Sequence, residues 1–454
     1  MAADGSTNDR RRGKSALFVV ACGWAGLIPH WLDPAVRLLP ATSMAVLLGG
    51  YSIYTVLLPA LGRSRSGAAV PAEPGGGPLP CPLPPVDVVA AARDEQAVIT
   101  RLVERIAALR YPAEQLRLWV VDDGSADRTP QLLAELQGRF PFLRVLRREP
   151  DAGGGKSGAL NLALQHAEAP WMLVLDADAD LQPDTLERLI PWAVAGGWGA
   201  VQLRKAVANA QANWLTRAQA MEMALDAVIQ EGRLARGGVV ELRGNGQLLR
   251  RDALQAAGGF NEATVTDDLD LSFRLLLHDQ PTGILWDPPV REEAVLSLAA
   301  LWRQRQRWAE GGLQRFFDYG PGLFFGRVNG RRRLDLLCFF LLQYAMPMVA
   351  MADLLGAALT LTAPTIWPLS FVAFGLSGCS ILLGCRRGSE GPPLPRMAPW
   401  NLALGIVYLG HWFVVIPWTS LRMALLPKRL VWAKTLHLGE SGLEETAVED
   451  PAAA

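Results

Sequence analysis

The chain has 454 residues, 50% of them hydrophobic, and balances 44 Lys plus Arg against 44 Asp plus Glu. That length suits two domains better than one, and a zero formal charge gives no ground for a nucleic-acid partner, so none is expected. The 5 cysteines and 5 histidines show no paired spacing, which argues against a disulfide framework or a structural zinc site.

The apolar residues gather at the two ends of the sequence. Arg10, Arg11, Arg12 and Lys14 precede an apolar stretch over residues 15–32, and a second covers 41–61. No small-residue cleavage site follows the first and the second comes at once, which favours two anchoring helices over a cleaved signal peptide. Residues 1–62 are therefore expected to be a cytosolic stub and two transmembrane helices. Residues 63–85 are rich in Pro and Gly, hold neither helix nor central strand, and read as a linker.

Beyond the linker the period changes. Short apolar runs at 86–91, 116–121, 143–146, 172–175 and 200–203 read as strands. Between them Val98, Ile99, Leu102, Ile106 and Leu109 recur at helical spacing, and Thr129-Pro130 marks a helix N-cap and first turn. This alternation predicts an α/β domain over 86–300 built on a mostly parallel sheet covered on both faces. A basic, aromatic stretch over 301–333 reads as an amphipathic helix at the membrane surface. Apolar stretches at 334–362, 366–385 and 402–426 are each long enough to cross a hydrocarbon core of roughly 30 Å, so the lipid bilayer is an expected partner. Lys428, Arg429 and Lys434 argue for a cytosolic tail over 428–454, yet three spans after two would put it outside. The first part of 334–362, with Gln343 and Pro347, is a candidate for lying along the interface, and the parity stays open.

Acidic clusters end several of the apolar runs. Asp122-Asp123 closes the second strand, Asp176 and Asp178 follow the fourth, and Thr266-Asp267-Asp268 precedes a helical run. Magnesium keeps several waters and takes one or two carboxylates plus phosphate oxygens, so Asp176 and Asp178 at a strand end suit a metal-diphosphate site. The bland alternatives are a solvated turn for Asp176 to Asp178 and an N-cap for Thr266 and Asp267. Asp268 is the candidate general base, because inverting sugar transfer needs one group to take the acceptor's hydroxyl proton. In Gln304-Arg305-Gln306-Arg307-Trp308, Arg307 can pair with a diphosphate and Trp308 can pack on an acceptor. Gly153 to Ser157 ends like a P-loop but has Pro150 where its first glycine belongs; it reads instead as a flexible loop bringing Lys156 toward a nucleotide phosphate or ribose.

Taken together, and in this order over 86–308, the clusters resemble the membrane-embedded family 2 glycosyltransferases, the group of the cellulose, chitin and hyaluronan synthases. The resemblance implies a GT-A type nucleotide-binding sheet with flanking transmembrane helices. It places Glu95, Asp122 and Asp123 at the nucleotide, with Lys156 and Asp267 also binding substrate. Asp176 and Asp178 would hold Mg2+ and diphosphate, Asp268 would be the base, and Gln304, Arg307 and Trp308 would bind diphosphate and acceptor. Two departures stand out: the usual Thr-Glu-Asp reads Thr266-Asp267-Asp268, and the Asn usual before Glu95 is Asp94. Residues 199–209, Glu241 to Gln247, Arg307 to Gly312 and 427–435 are similar to a narrower group, cyanobacterial enzymes that glucosylate diacylglycerol. That similarity implies UDP-glucose as donor, diacylglycerol as acceptor, and a multi-pass membrane protein with a cytosolic catalytic domain. A processive polysaccharide synthase is the alternative, and a catalytically dead nucleotide sensor is a third reading.

Overall fold

The computed structural model describes residues 5–66 and 83–426. Most of the expected linker and the expected tail lie outside the described residues. Seven strands, β1 (Val86–Ala92), β2 (Leu116–Asp123), β3 (Leu143–Arg148), β4 (Trp171–Leu175), β5 (Ala200–Val207), β6 (Gln247–Arg250) and β7 (Thr282–Glu292), form one sheet in the order β3-β2-β1-β4-β6-β5-β7. β6 alone runs antiparallel to its neighbours. The sheet is mostly parallel, as the alternation of runs and helices predicts, with β6 and β7 added to the five runs read from sequence.

Both faces are covered, so β1 and β4 are buried along their whole length and read as continuous apolar runs. The one charge in β1, Asp87, is 0% exposed and is satisfied by the amides of Glu168 and Ala169 and by Trp119 Nε1. The helix Ile99–Ala107 turns Ile99, Leu102, Val103 and Ile106 into the core on one face of the sheet. Burying each such side chain contributes roughly 1.5–3 kcal/mol, and Leu102→Ala would cost about 2–5 kcal/mol because the cavity cannot fully collapse. Thr129 is the first residue of the helix Thr129–Arg139 and not its cap; Arg128 holds the N-cap position without a side-chain cap bond, and Asp127 Oδ1 accepts from the Thr129 amide.

Among the described residues four helices are long and apolar enough to cross a membrane: Leu39–Gly62, Gly330–Thr360, Trp367–Arg386 and Pro399–Leu425. The expected first span is the end of a further helix, Gly5–Leu27, continued by a 3-10 turn over Ile28–Trp31. It is bound at both ends. Arg11 pairs with Asp318 near the catalytic domain, while His30 Nε2 meets Asp353 Oδ1 at 2.9 Å at the other end. Leu39–Gly62 returns, with Thr55 and Val56 against Gly232 of the catalytic domain. Gly330–Thr360 leaves from the Arg233–Asp335 ion pair, and Trp367–Arg386 comes back to an ion pair between Arg387 and Glu231.

Pro399–Leu425 behaves differently. Its start packs with Leu215 and Leu301, its middle meets Glu222 through Tyr408 and Trp412, and its end meets Glu310 through Arg422. It thus meets the catalytic domain at its start and middle and Glu310 at its end, and in between packs on Gly5–Leu27 and Gly330–Thr360 through Val415 and Ile416. The region expected to rest on the membrane surface is a helix, Leu298–Phe325, that buries Arg305, Glu310, Gln314 and Arg315. It carries a packed face, and is not simply an amphipathic helix on headgroups.

Candidate active site

The parallel strands β1, β2 and β4 deliver their C-terminal ends to one side of the sheet, where open α/β sheets bind ligands. Asp176 and Asp178 follow β4 there. Asp176 Oδ1 accepts from Lys156 Nζ at 2.6 Å, and its amide donates to Asn245 Oδ1 at 3.2 Å. Asp178 is buried, and its Oδ2 accepts from the Glu293 amide at 3.1 Å. Lys156 reaches Asp176 because Gly153, Gly154 and Gly155 all have positive φ (73°, 69° and 50°), a bend that glycine adopts without strain, and the helix Gly155–His166 starts there.

Asp267 and Asp268 open the helix Asp267–Leu277, with Thr266 at the N-cap position but making no side-chain cap bond. The N-cap reading of Thr266 therefore holds for position only. Asp267 Oδ2 is buried without a hydrogen-bond partner among the described residues. Burial, and then the neighbouring charge of Asp267, raises Asp268 from the usual carboxylate range to about 6. Burial opposes the charge on Lys156, but Asp176, Asp267 and Asp268 outweigh it and raise its pKa.

The helix bearing Gln304, Arg307 and Trp308 can come this close because it carries glycines where it meets its neighbours. A Cβ on Gly311 would stand 2.0 Å from Thr266 Oγ1, and one on Gly312 would stand 2.0 Å from the Tyr344 hydroxyl. Arg305, the residue between Gln304 and Arg307, is fully buried on Glu222 at 2.5 Å, and its guanidinium lies 3.9 Å from the Trp308 ring centroid. It orients the helix and the indole.

A single cavity of about 1850 Å³ collects Glu95, Lys156, Asp176, Asp178, Asp267, Asp268, Gln304, Arg307 and Trp308 in its wall. Asp122 and Asp123 do not line it. Asp122 Oδ1 holds the Ser125 amide, and Asp123 pairs with Arg148, which also grips the carbonyls of Gly153 and Gly155. These two carboxylates brace the loop behind the wall. Burial raises the Asp123 pKa against the opposing Arg148 and Arg93. Asp94 stands at φ 54°, where Asp is tolerated, and accepts from the Ala126 amide.

Sequence reasoning missed Lys205, Asn245 and Glu292, which also lie here. Lys205 Nζ is 2.7 Å from Glu292 Oε2, and Asn245 Nδ2 donates to that oxygen at 3.4 Å. The one local signal was Gly244-Asn245-Gly246, whose glycines sit at φ 84° and 70°. A Cβ on Gly244 would stand 3.4 Å from Asp268 Oδ2, so this turn passes directly beside the candidate base.

A nucleotide-binding type of sheet, carboxylates at its strand ends and apolar helices on the flank define a membrane-associated group-transfer enzyme. Residues 84–311 match the family described as glycosyltransferase like family 2. A β-monoglucosyldiacylglycerol synthase from Synechocystis is 45% identical over 361 residues, 78% of this chain and 75% of that protein. The protein of the same name from Trichormus variabilis is 41% identical over 434 residues, 94% and 90% of the two chains. The chain belongs to the family 2 glycosyltransferases. A solved mannosyltransferase from Pyrobaculum calidifontis, in complex with GDP-Man and Mn2+, shares the fold at a TM-score of 0.57 and 19% identity, covering 84% of this chain and 99% of that one.

Proposed function

We propose that the protein transfers glucose from UDP-glucose to the free hydroxyl of 1,2-diacylglycerol, with inversion, making β-monoglucosyldiacylglycerol. The observation that carries this reading is the continuity of the cavity. The wall that holds Asp176, Asp268 and Trp308 runs on to Leu48, Val56, Phe339, Leu342, Val372 and Phe374 of the apolar helices. Pockets of roughly 300–1,000 Å³ suffice for drug-sized ligands, so about 1850 Å³ leaves room for a second, apolar substrate beside a sugar nucleotide.

A divalent cation fits the donor set. No group of three or more metal-ligating side chains forms among the described residues, but magnesium needs only one or two carboxylates when phosphate oxygens and water complete its shell. Asp176 and Asp178 supply the two, and the orphaned buried Oδ2 of Asp267 adds negative potential nearby. In our reading magnesium bound by Asp176 and Asp178 would neutralise charge on the departing diphosphate. Lys156 and Arg307 contribute positive charge to the same group. Asp268 accepts the proton of the acceptor hydroxyl as that oxygen bonds to the sugar C1. The C1–O bond to phosphate breaks on the opposite face, and UDP leaves with the electron pair. A base raised to about 6 is matched to a neutral medium, ionised there yet more basic than an ordinary carboxylate.

The catalytic domain faces the cytosol in this reading. Gly5–Leu27, Leu39–Gly62, Gly330–Thr360 and Trp367–Arg386 cross the bilayer, while Pro399–Leu425 stays against the catalytic domain, its end held by the Arg422–Glu310 pair. Four crossings leave both ends of the described chain on one side. The test of function is to supply purified protein in diacylglycerol-containing vesicles with labelled UDP-glucose. Label in a solvent-extractable β-glucolipid is expected; label in a high-molecular-weight polymer would overturn the assignment.

A further inference from the structure

We propose that Glu292 and Lys205, held by Asn245, form the subsite that recognises the hydroxyls of the donor hexose. This inference rests on the reading of the cavity as a sugar-nucleotide site. The pair sits on strands β7 and β5, where the register slips between Leu203 and Lys205, so that Leu203 faces Leu285 but Lys205 faces Val290. Irregularities of this kind next to active sites re-aim side chains, and here both Lys205 and Glu292 enter the cavity wall.

Three contacts fix where the pair stands. Asn245 accepts from the Asp176 amide at 3.2 Å and donates to Glu292 Oε2 at 3.4 Å, so Glu292 lies one side chain from a diphosphate carboxylate. Lys205 Nζ donates to the Arg243 carbonyl at 3.3 Å, next to the Gly244 turn that borders Asp268. It also lies 5.8 Å from the centroid of Trp308. The pair is thus bracketed by the diphosphate side, the base and the acceptor aromatic. A sugar whose C1 lies between leaving group and base has to place its ring here.

The chemistry suits a neutral polyol. A carboxylate accepts from two hydroxyls, an ammonium donates to a hydroxyl oxygen, and an indole packs on the C–H face of a pyranose. A brace between strands does not call for this pair, since a largely buried ion pair is often no more stabilising than packed hydrophobic residues of the same volume.

The experiment compares Glu292→Gln and Lys205→Met with the unaltered protein in vesicles, measuring KM for UDP-glucose, the inhibition constant of UDP alone, and relative use of UDP-galactose, which differs only at C4. Each lost bond between a charged group and a hydroxyl should raise the donor KM roughly 10- to 100-fold and narrow the preference between the two hexoses, with UDP inhibition unchanged. If KM and UDP inhibition rise together, or neither moves, the subsite is refuted. A fall in Tm with unaltered donor preference would also refute it, by reducing the pair to a brace. Should the unaltered protein prefer another sugar nucleotide, the functional reading fails separately, and the same comparison with that donor and its free nucleotide still judges the subsite.

Discussion

Asp268 allows a quantitative test of the proposed chemistry. Its pKa is raised to about 6 by burial and then by Asp267, and only the ionised carboxylate can accept a proton. Activity must therefore be lost as pH falls through that value. With one titrating group the transfer rate should be about half its plateau near pH 6 and about a tenth near pH 5, a limb of unit slope. Neighbouring charges give the sign of two further shifts. Lys156 lowers the Asp268 pKa and Asp267 raises it. Asp267→Asn should move the limb down, though not to the ordinary carboxylate value, since burial remains the larger cause, while Lys156→Met should move it up. The assay is kcat/KM for glycolipid formation between pH 4.5 and 8.5, which reports the titration of the free enzyme. A limb near the ordinary carboxylate value of about 4, or one that stays fixed in both variants, would refute the assignment of Asp268 as the base. Asp268→Asn should lower the plateau itself by roughly 10²- to 10⁴-fold.

Asp176→Ala should weaken donor binding in a metal-dependent way, read as a raised donor KM, and an enzyme indifferent to chelator would remove the magnesium proposal. Arg305→Met leaves the buried Glu222 carboxylate with only Tyr408 and Trp412 as partners; breaking a buried pair costs about 3–5 kcal/mol, visible as a large fall in Tm. For the topology, a cysteine placed at Leu426 in a background without other cysteines should be labelled by an impermeant reagent from the same side as one on the catalytic surface. Labelling from opposite sides would make Pro399–Leu425 a fifth crossing.

What the sequence made legible was local. Five of the strands and the helical face of Ile99, Leu102 and Ile106 could be read because one apolar period was long enough to declare itself. β7 could not, since Pro288-Pro289 interrupts it and a Pro pair normally signals a loop. Of the acidic clusters, those at Asp176, Asp178, Asp267 and Asp268 do share a cavity, whereas Asp122 and Asp123 turn toward Ser125 and Arg148. Residue type and position at a strand end are alike in both cases; only the side-chain direction differs, and no local pattern encodes it. Lys205 and Glu292 are far apart in sequence and meet because β5 lies beside β7. Gln343 and Pro347 suggested a segment lying along the interface. They fall in and just after a π turn, Leu341–Ala345, within the long helix Gly330–Thr360, and both line the cavity.

The joining of the polar and apolar parts of one chamber constrains how material moves. If a greasy alcohol slides in between the helices and meets its hexose without leaving hydrocarbon, the finished glycolipid retreats by the same lateral route. It is then deposited in the leaflet that borders the nucleotide pool. On this route the transfer chemistry and any passage to the opposite leaflet are separate steps.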